Sequence, residues 1–112
     1  MIYALSVVDK SGRIADRSIV RMLGWVPGTR LDVHERAGLI VVYPAEDGVH
    51  CLSERAFLRL PLTTRRWCRI RAGDRVLVAV QAVSGVLVVH PLARLHSLLA
   101  DVHAAALCGD AR

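Results

Sequence analysis

The chain has 112 residues, 54% of them hydrophobic and 4% aromatic, with a formal net charge of +5 and a pI near 9.9. That length fits one compact domain, or two very small units sharing a core, and the scarcity of aromatics leaves Val, Leu, Ile and Ala to build it, which favours strands. No apolar run approaches the roughly 20 residues of a membrane helix, and the three cysteines, Cys51, Cys68 and Cys108, form no CxxC pair, which argues against a zinc site and for free buried thiols. The start, MIYALSVVDK, lacks a basic segment and a cleavage site, so a cytoplasmic protein is expected.

In chain order, residues 2–8 read as a strand broken at Ser11-Gly12. Asp16 is placed to cap a short helix carrying Ile19, Val20 and Leu23, which Gly24 ends before a Pro27-Gly28 turn. Residues 29–35 and 39–43 form a hairpin about Arg36-Ala37-Gly38. After a polar joint at 44–48, short strands are expected at 49–53 and 57–60, then a helix over 62–68. A second hairpin follows, with strands at 75–80 and 86–90. Trp25 and Trp67 end the two short helices and are expected to pack in the core or between halves. Pro91 opens a helix over 91–107, in which Leu92, Leu95, Leu98, Leu99 and Val102 recur at helical spacing. The simpler expectation for that stripe is packing on the chain's own body; the sharper one is docking on another chain.

The pattern contains an internal repeat. PGTRLDV (27–33) matches AGDRVLV (72–78), and GLIVVYP (38–44) matches GVLVVHP (85–91). A unit of strand, short helix and hairpin cannot bury its apolar face alone, whereas two copies can close over each other and hide their edges. The fold class expected is therefore mainly β with short helices: two tandem β-α-β-β units, 1–46 and 47–91, forming one pseudo-twofold barrel, followed by a C-terminal amphipathic helix and tail over 92–112.

The stretch VDKSGRI…RMLGWVPGTRLDVHERAGLIVVYP resembles the AbrB/MazE/SpoVT family of swapped-hairpin transcription factors: a strand, Gly-Arg-aliphatic, a short helix ending in Leu-Gly-aliphatic, a Gly-containing turn and a hairpin. FLRLPLTTRRWCRIRAGDRVLV…GVLVVHP is similar to the same pattern. Together the copies cover the chain from about Val8 to Pro91. The copies depart from the pattern at particular places. The first has RIADRS where the family has an aliphatic-Pro pair. In the second, Ala56-Phe57 stands in place of Gly-Arg and Cys68-Arg69 in place of Leu-Gly. The resemblance implies a tandem, actinobacterial-type member in which one chain builds the barrel that family members usually build from two.

Fourteen of the fifteen basic residues are arginine, Lys10 being the exception. Arginine matches phosphate and guanine edges with a bidentate fork. Arg13, Arg17 and Arg21 cluster about the first short helix; Arg59, Arg65, Arg66, Arg69 and Arg71 cluster about the second. Carried over from the family by position, Arg13, Arg17, Arg21, Arg65 and Arg66 would face double-stranded DNA, with Arg59 serving likewise. The function expected is that of a DNA-binding transcriptional regulator, nucleoid-associated when bound to DNA. The alternative is an antitoxin-like or other interaction module using the C-terminal helix, through which a homodimer or a partner protein would also form. No nucleophile motif, no carboxylate pair beside a histidine and no GxGxxG or GxxxxGK loop is present, so neither an enzyme nor a cofactor is expected.

Overall fold

The computed structural model describes residues 1–109. In chain order these form β1 (Ile2–Val7), α1 (Ser18–Met22), β2 (Arg30–Arg36), β3 (Leu39–Pro44), β4 (His50–Cys51), α2 (Leu62–Trp67), β5 (Arg75–Gln81), β6 (Val86–Pro91) and α3 (Leu92–Gly109). The six strands make one antiparallel sheet in the order β1-β5-β6-β3-β2-β4. The strands form where β-branched and aliphatic residues alternate. Val76, Val78 and Val80 of β5, Leu87 and Val89 of β6, and Ile40 and Val42 of β3 point to one face and are buried there. α1 adds Ile19 and Val20 to this core, and Leu52, Leu58 and Leu60 join it from the segment after β4. Burying each such side chain contributes about 1.5–3 kcal/mol.

Exchanging β1 with β4, β2 with β5 and β3 with β6 leaves the strand order unchanged when it is read from the opposite edge. The central β3–β6 ladder is centred on Val41 opposite Val88, flanked by Ile40–Val89 and Val42–Leu87. At the flanks, the Val8 amide donates to the Asp74 carbonyl at 2.9 Å and the Leu52 amide to the Thr29 carbonyl at 2.9 Å, so each hairpin takes its outer neighbour from the other half of the chain.

The sheet does not close. β1 and β4 stand at its two edges, and β4 has only two residues. The strand expected over 57–60 is reduced to an isolated bridge between Arg13 and Arg59. Here the Ile14 amide donates to the Leu58 carbonyl at 2.8 Å and the Leu60 amide to the Gly12 carbonyl at 2.9 Å. Pro61 follows at once and offers no further donor.

The short helices, five and six residues long, are below the length at which an isolated helix persists and are held by what surrounds them. Asp16 lies one residue before the α1 N-cap, Arg17, and its Oδ1 accepts the Ser18 amide at 2.9 Å. Both helices end in the same way. The Gly24 amide donates to the Arg21 carbonyl and the Trp25 amide to the Val20 carbonyl. In the second copy Arg69 donates to Arg66 and Ile70 to Arg65. This pair of hydrogen bonds is the Schellman ending, whose left-handed residue is usually glycine. Gly24 fills it at φ +72°, but in the second half it is Arg69, at φ +57°.

Three expectations fail on packing. Most of the apolar stripe of α3 is left open: Leu92, Leu98 and Val102 are exposed, while Leu95 and Leu99 are half-buried, and the molecule is elongated, 56 × 29 × 22 Å. β6 runs directly into α3 with no intervening turn. Trp25 is buried, but Trp67 is 74% exposed, because α2 buries none of its own residues. Cys51 and Cys108 are exposed rather than buried, and Cys68 is half-buried. Burial, and then the Glu35 carboxylate, push the Cys68 thiol up, away from the reactive thiolate.

A candidate nucleic-acid interface

The segment after β1 and the segment after β4 cross at the Arg13–Arg59 bridge. Because the flanking hydrogen bonds run from Ile14 and Leu60, Arg13 and Arg59 form a non-hydrogen-bonded pair, the closer of the two antiparallel spacings, with both side chains on one face. Two like charges directly opposite one another oppose pairing, so the backbone geometry holds a concentrated positive charge at this point.

Local contacts fix these side chains. Arg13 Nε donates to Asp9 Oδ2 at 2.8 Å, and its guanidinium lies 4.6 Å from the centre of the Phe57 ring. Asp9 also accepts the amides of Arg13 and Ser11 at 2.9 Å. The Arg13 amide above all, with the Arg13 side chain and the Ser11 amide assisting, holds the Asp9 carboxyl below its usual range. Arg17 stacks on the same ring at 4.9 Å and donates from a terminal nitrogen to the Arg55 carbonyl at 3.2 Å. Arg59 Nε donates to the Ser11 carbonyl at 2.8 Å. Arg65 Nε donates to the Leu60 carbonyl at 2.9 Å. The Arg65 guanidinium covers Gly12 so closely that a Cβ there would fall 2.4 Å from it.

Four of the six arginines expected at an interface, Arg13, Arg17, Arg59 and Arg65, are thus gathered about one crossing. Arg21 is exposed in the last turn of α1, with no bond that ties it to the group. Arg66 is exposed on α2 and lines a different concavity, with Arg69, Ile70, Arg71 and Asp74. Among the described residues, Arg13 alone of the six makes an ion pair. Phe57 was not foreseen as the platform for two guanidiniums. Its signal in the sequence was its place: it stands where the first copy has Arg13, so an aromatic from one half meets the arginines of the other.

This arrangement presents forks and stacked guanidiniums on a half-exposed surface with one carboxylate among them. Such a surface neutralises phosphates and releases their counterions. Comparison of the chain with protein-family models, with curated proteins and with solved structures finds no significant match.

Proposed function

We propose that the chain is a DNA-binding regulator of transcription, of the AbrB/MazE/SpoVT swapped-hairpin type, with two β-α-β-β units fused in one polypeptide. The observation that carries this reading is the Arg13–Arg59 crossing, where arginine-bearing segments of both halves meet with one acid partner between them. The strand order supports a pseudo-twofold arrangement of two such units: each hairpin borrows its edge strand from the other half, as interlocked hairpins require. In this reading the crossing segments complete a barrel that the strand ladder alone leaves open, and Arg13, Arg17, Arg59 and Arg65 approach the duplex together. Arg21 and Arg66 flank them. Phosphate contacts set the orientation and one or more forks reach guanine edges in the major groove. The protein works without a catalytic centre, in the cytoplasm, on the nucleoid.

The test is duplex binding over a salt series, using genomic fragments that include the protein's own promoter. Arg17→Ala/Arg21→Ala and Arg65→Ala/Arg66→Ala are measured in parallel. Saturable binding to particular fragments, weakened by both double variants, supports the reading. Absence of binding near physiological salt by a folded protein refutes it.

The uncovered stripe on α3 favours a second activity for the same chain, as an antitoxin-like or other interaction module. Leu92, Leu95, Leu99 and Val102 follow the alternating three-and-four spacing of a helix that packs on another helix. The described residues contain no other helix longer than six residues to receive it. A partner that copurifies with the full chain, and is lost when residues after Pro91 are deleted, is the expected sign.

A further inference from the structure

The two halves share a backbone at the turn that follows each short helix, but not its charge. The Val26 amide donates to Thr29 Oγ1 at 3.0 Å, and at the matching place the Arg71 amide donates to Asp74 Oδ2 at 2.8 Å. The Thr29 amide returns to the Val26 carbonyl at 3.0 Å, as the Asp74 amide does to the Arg71 carbonyl at 3.0 Å. Together with the two matching Schellman endings, these bonds align Arg21 with Arg66, Gly24 with Arg69 and Val26 with Arg71. In the first half that surface carries one arginine beside an exposed valine. In the second it is an open concavity of about 600 Å³ lined by Arg66, Arg69, Ile70, Arg71 and Asp74, three guanidiniums against one carboxylate.

Arg69 is the residue that calls for an explanation. It holds φ +57°, a left-handed conformation that side chains with a Cβ seldom take. Glycine fits there without strain, as Gly24 does at φ +72° in the first half. The Arg69 side chain is exposed and adds nothing to the core. At this position, where Gly24 stands in the first half, the second half carries a guanidinium on the wall of the concavity.

We propose that Arg66, Arg69 and Arg71 form a phosphate site present on the second half alone, and that its ligand is a backbone phosphodiester of duplex DNA outside the central crossing. The chain then grips DNA unequally: its footprint reaches further on the side of the second half, and its operator is not a true palindrome. This rests on the DNA-binding reading above and adds to it a polarity on the duplex. Asp74 Oδ2 accepts the Arg71 amide, which leaves the three guanidiniums as the excess charge of the concavity.

The test compares the full-length protein, Arg69→Gly/Arg71→Val and Arg13→Ala/Arg59→Ala on the same duplex, by affinity over a salt series and by phosphate-ethylation interference. Arg69→Gly relieves the backbone, so the concavity variant is expected to unfold no more readily than the parent. Its DNA affinity should fall about tenfold near physiological salt. The slope of log K against log salt should shrink by about 0.9 for each phosphate that is no longer neutralised, and interference should disappear at one end of the footprint. An unchanged affinity and slope in that variant, with binding lost in Arg13→Ala/Arg59→Ala, overturns the asymmetric site and leaves the DNA-binding reading standing. Failure of the parent to bind any duplex fails both. Millimolar inorganic phosphate is titrated without DNA as a further arm. Thermal protection of the parent, absent from the concavity variant, combined with unchanged DNA binding by that variant, assigns the site to a free phosphate ligand and overturns the DNA assignment.

Discussion

Arg13 and Arg59 lie opposite each other in an isolated antiparallel bridge, on one face, with Asp9 paired to Arg13 alone. Stability and DNA binding are therefore separable at this pair. Arg59→Glu replaces a repulsion with an attraction but removes the Arg59 bond to the Ser11 carbonyl, so stability should change by less than about 1 kcal/mol, while affinity for duplex DNA falls at least about tenfold. Urea unfolding alongside fluorescence anisotropy with labelled duplex reads both. A variant that loses stability and binding together would mean that the pair is structural.

Gly12 sits at φ +83° beneath the Arg65 guanidinium. In Gly12→Ala the new methyl meets that guanidinium and the backbone is strained. Arg65 can swing aside, so the expected cost is the backbone term, about 1–2 kcal/mol, together with loss of the bond from Arg65 to the Leu60 carbonyl. Weaker DNA binding should accompany the lower stability. Arg65→Ala should reproduce the binding loss without most of the stability loss, which separates the two effects.

The β2–β3 turn carries Ala37 at φ +54° and Gly38 at φ +81°, the two left-handed residues of a tight hairpin. Ala37 is exposed and has no packing role. Ala37→Gly should raise stability by about 0.5–1 kcal/mol, seen as a higher urea midpoint with an unchanged slope.

His90 of β6 has a buried Nδ1 without a partner among the described residues, and burial lowers its pKa from the ordinary 6.5. The unfolded chain binds this proton more readily than the folded one. The stability held by neutral His90 is therefore fully present above pH 6.5 and drains away as the pH falls through the lower folded value. Asp9 acts at more acidic pH. Its carboxyl is held below 3.8, so its contribution is present above that value and lost as the pH drops through the folded one. Unfolding midpoints from pH 8 to pH 4 should fall on the acid side of 6.5, and His90→Leu should flatten that part of the curve.

The repeat and most of the strands were legible in the sequence because alternating Val and Leu between Gly and Pro turns is a local signal. β2, β3, β5 and β6 lie within a residue or so of their expected bounds. The partner of each strand was not legible. That β1 joins β5 rather than β2 depends on a chain crossing that no local pattern encodes. The run at 57–60 alternates like a strand, but Pro61 and the approach of residues 12–14 leave it a single bridge. The stripe on α3 has the periodicity of a packed helix and says nothing about what it packs on; the direct passage from β6 into α3 carries it away from the sheet. Among the arginines, Arg13, Arg17, Arg59 and Arg65 converge because two distant loops cross. Arg66 shows instead why sequence proximity misleads, since it sits one position from Arg65 but faces another surface.

The exposed stripe on α3 also sets an expectation for stability. Leu98→Glu/Val102→Glu removes apolar side chains that the sheet does not cover, so the urea midpoint should shift by less than about 0.5 kcal/mol equivalent. Any protein partner held through α3 should be released. A large loss of stability would show that the helix packs on its own sheet in solution.

The measurement that tests the central claim most directly is the affinity of the full chain for promoter-containing duplex from low to physiological salt, beside Arg13→Ala/Arg59→Ala. Counterion release at the crossing predicts a straight fall of log K with log salt, and a shallower line with weaker binding in the variant. Parallel lines of equal affinity, or no binding by the parent near physiological salt, would contradict the assignment of the Arg13–Arg59 crossing as a DNA-binding surface.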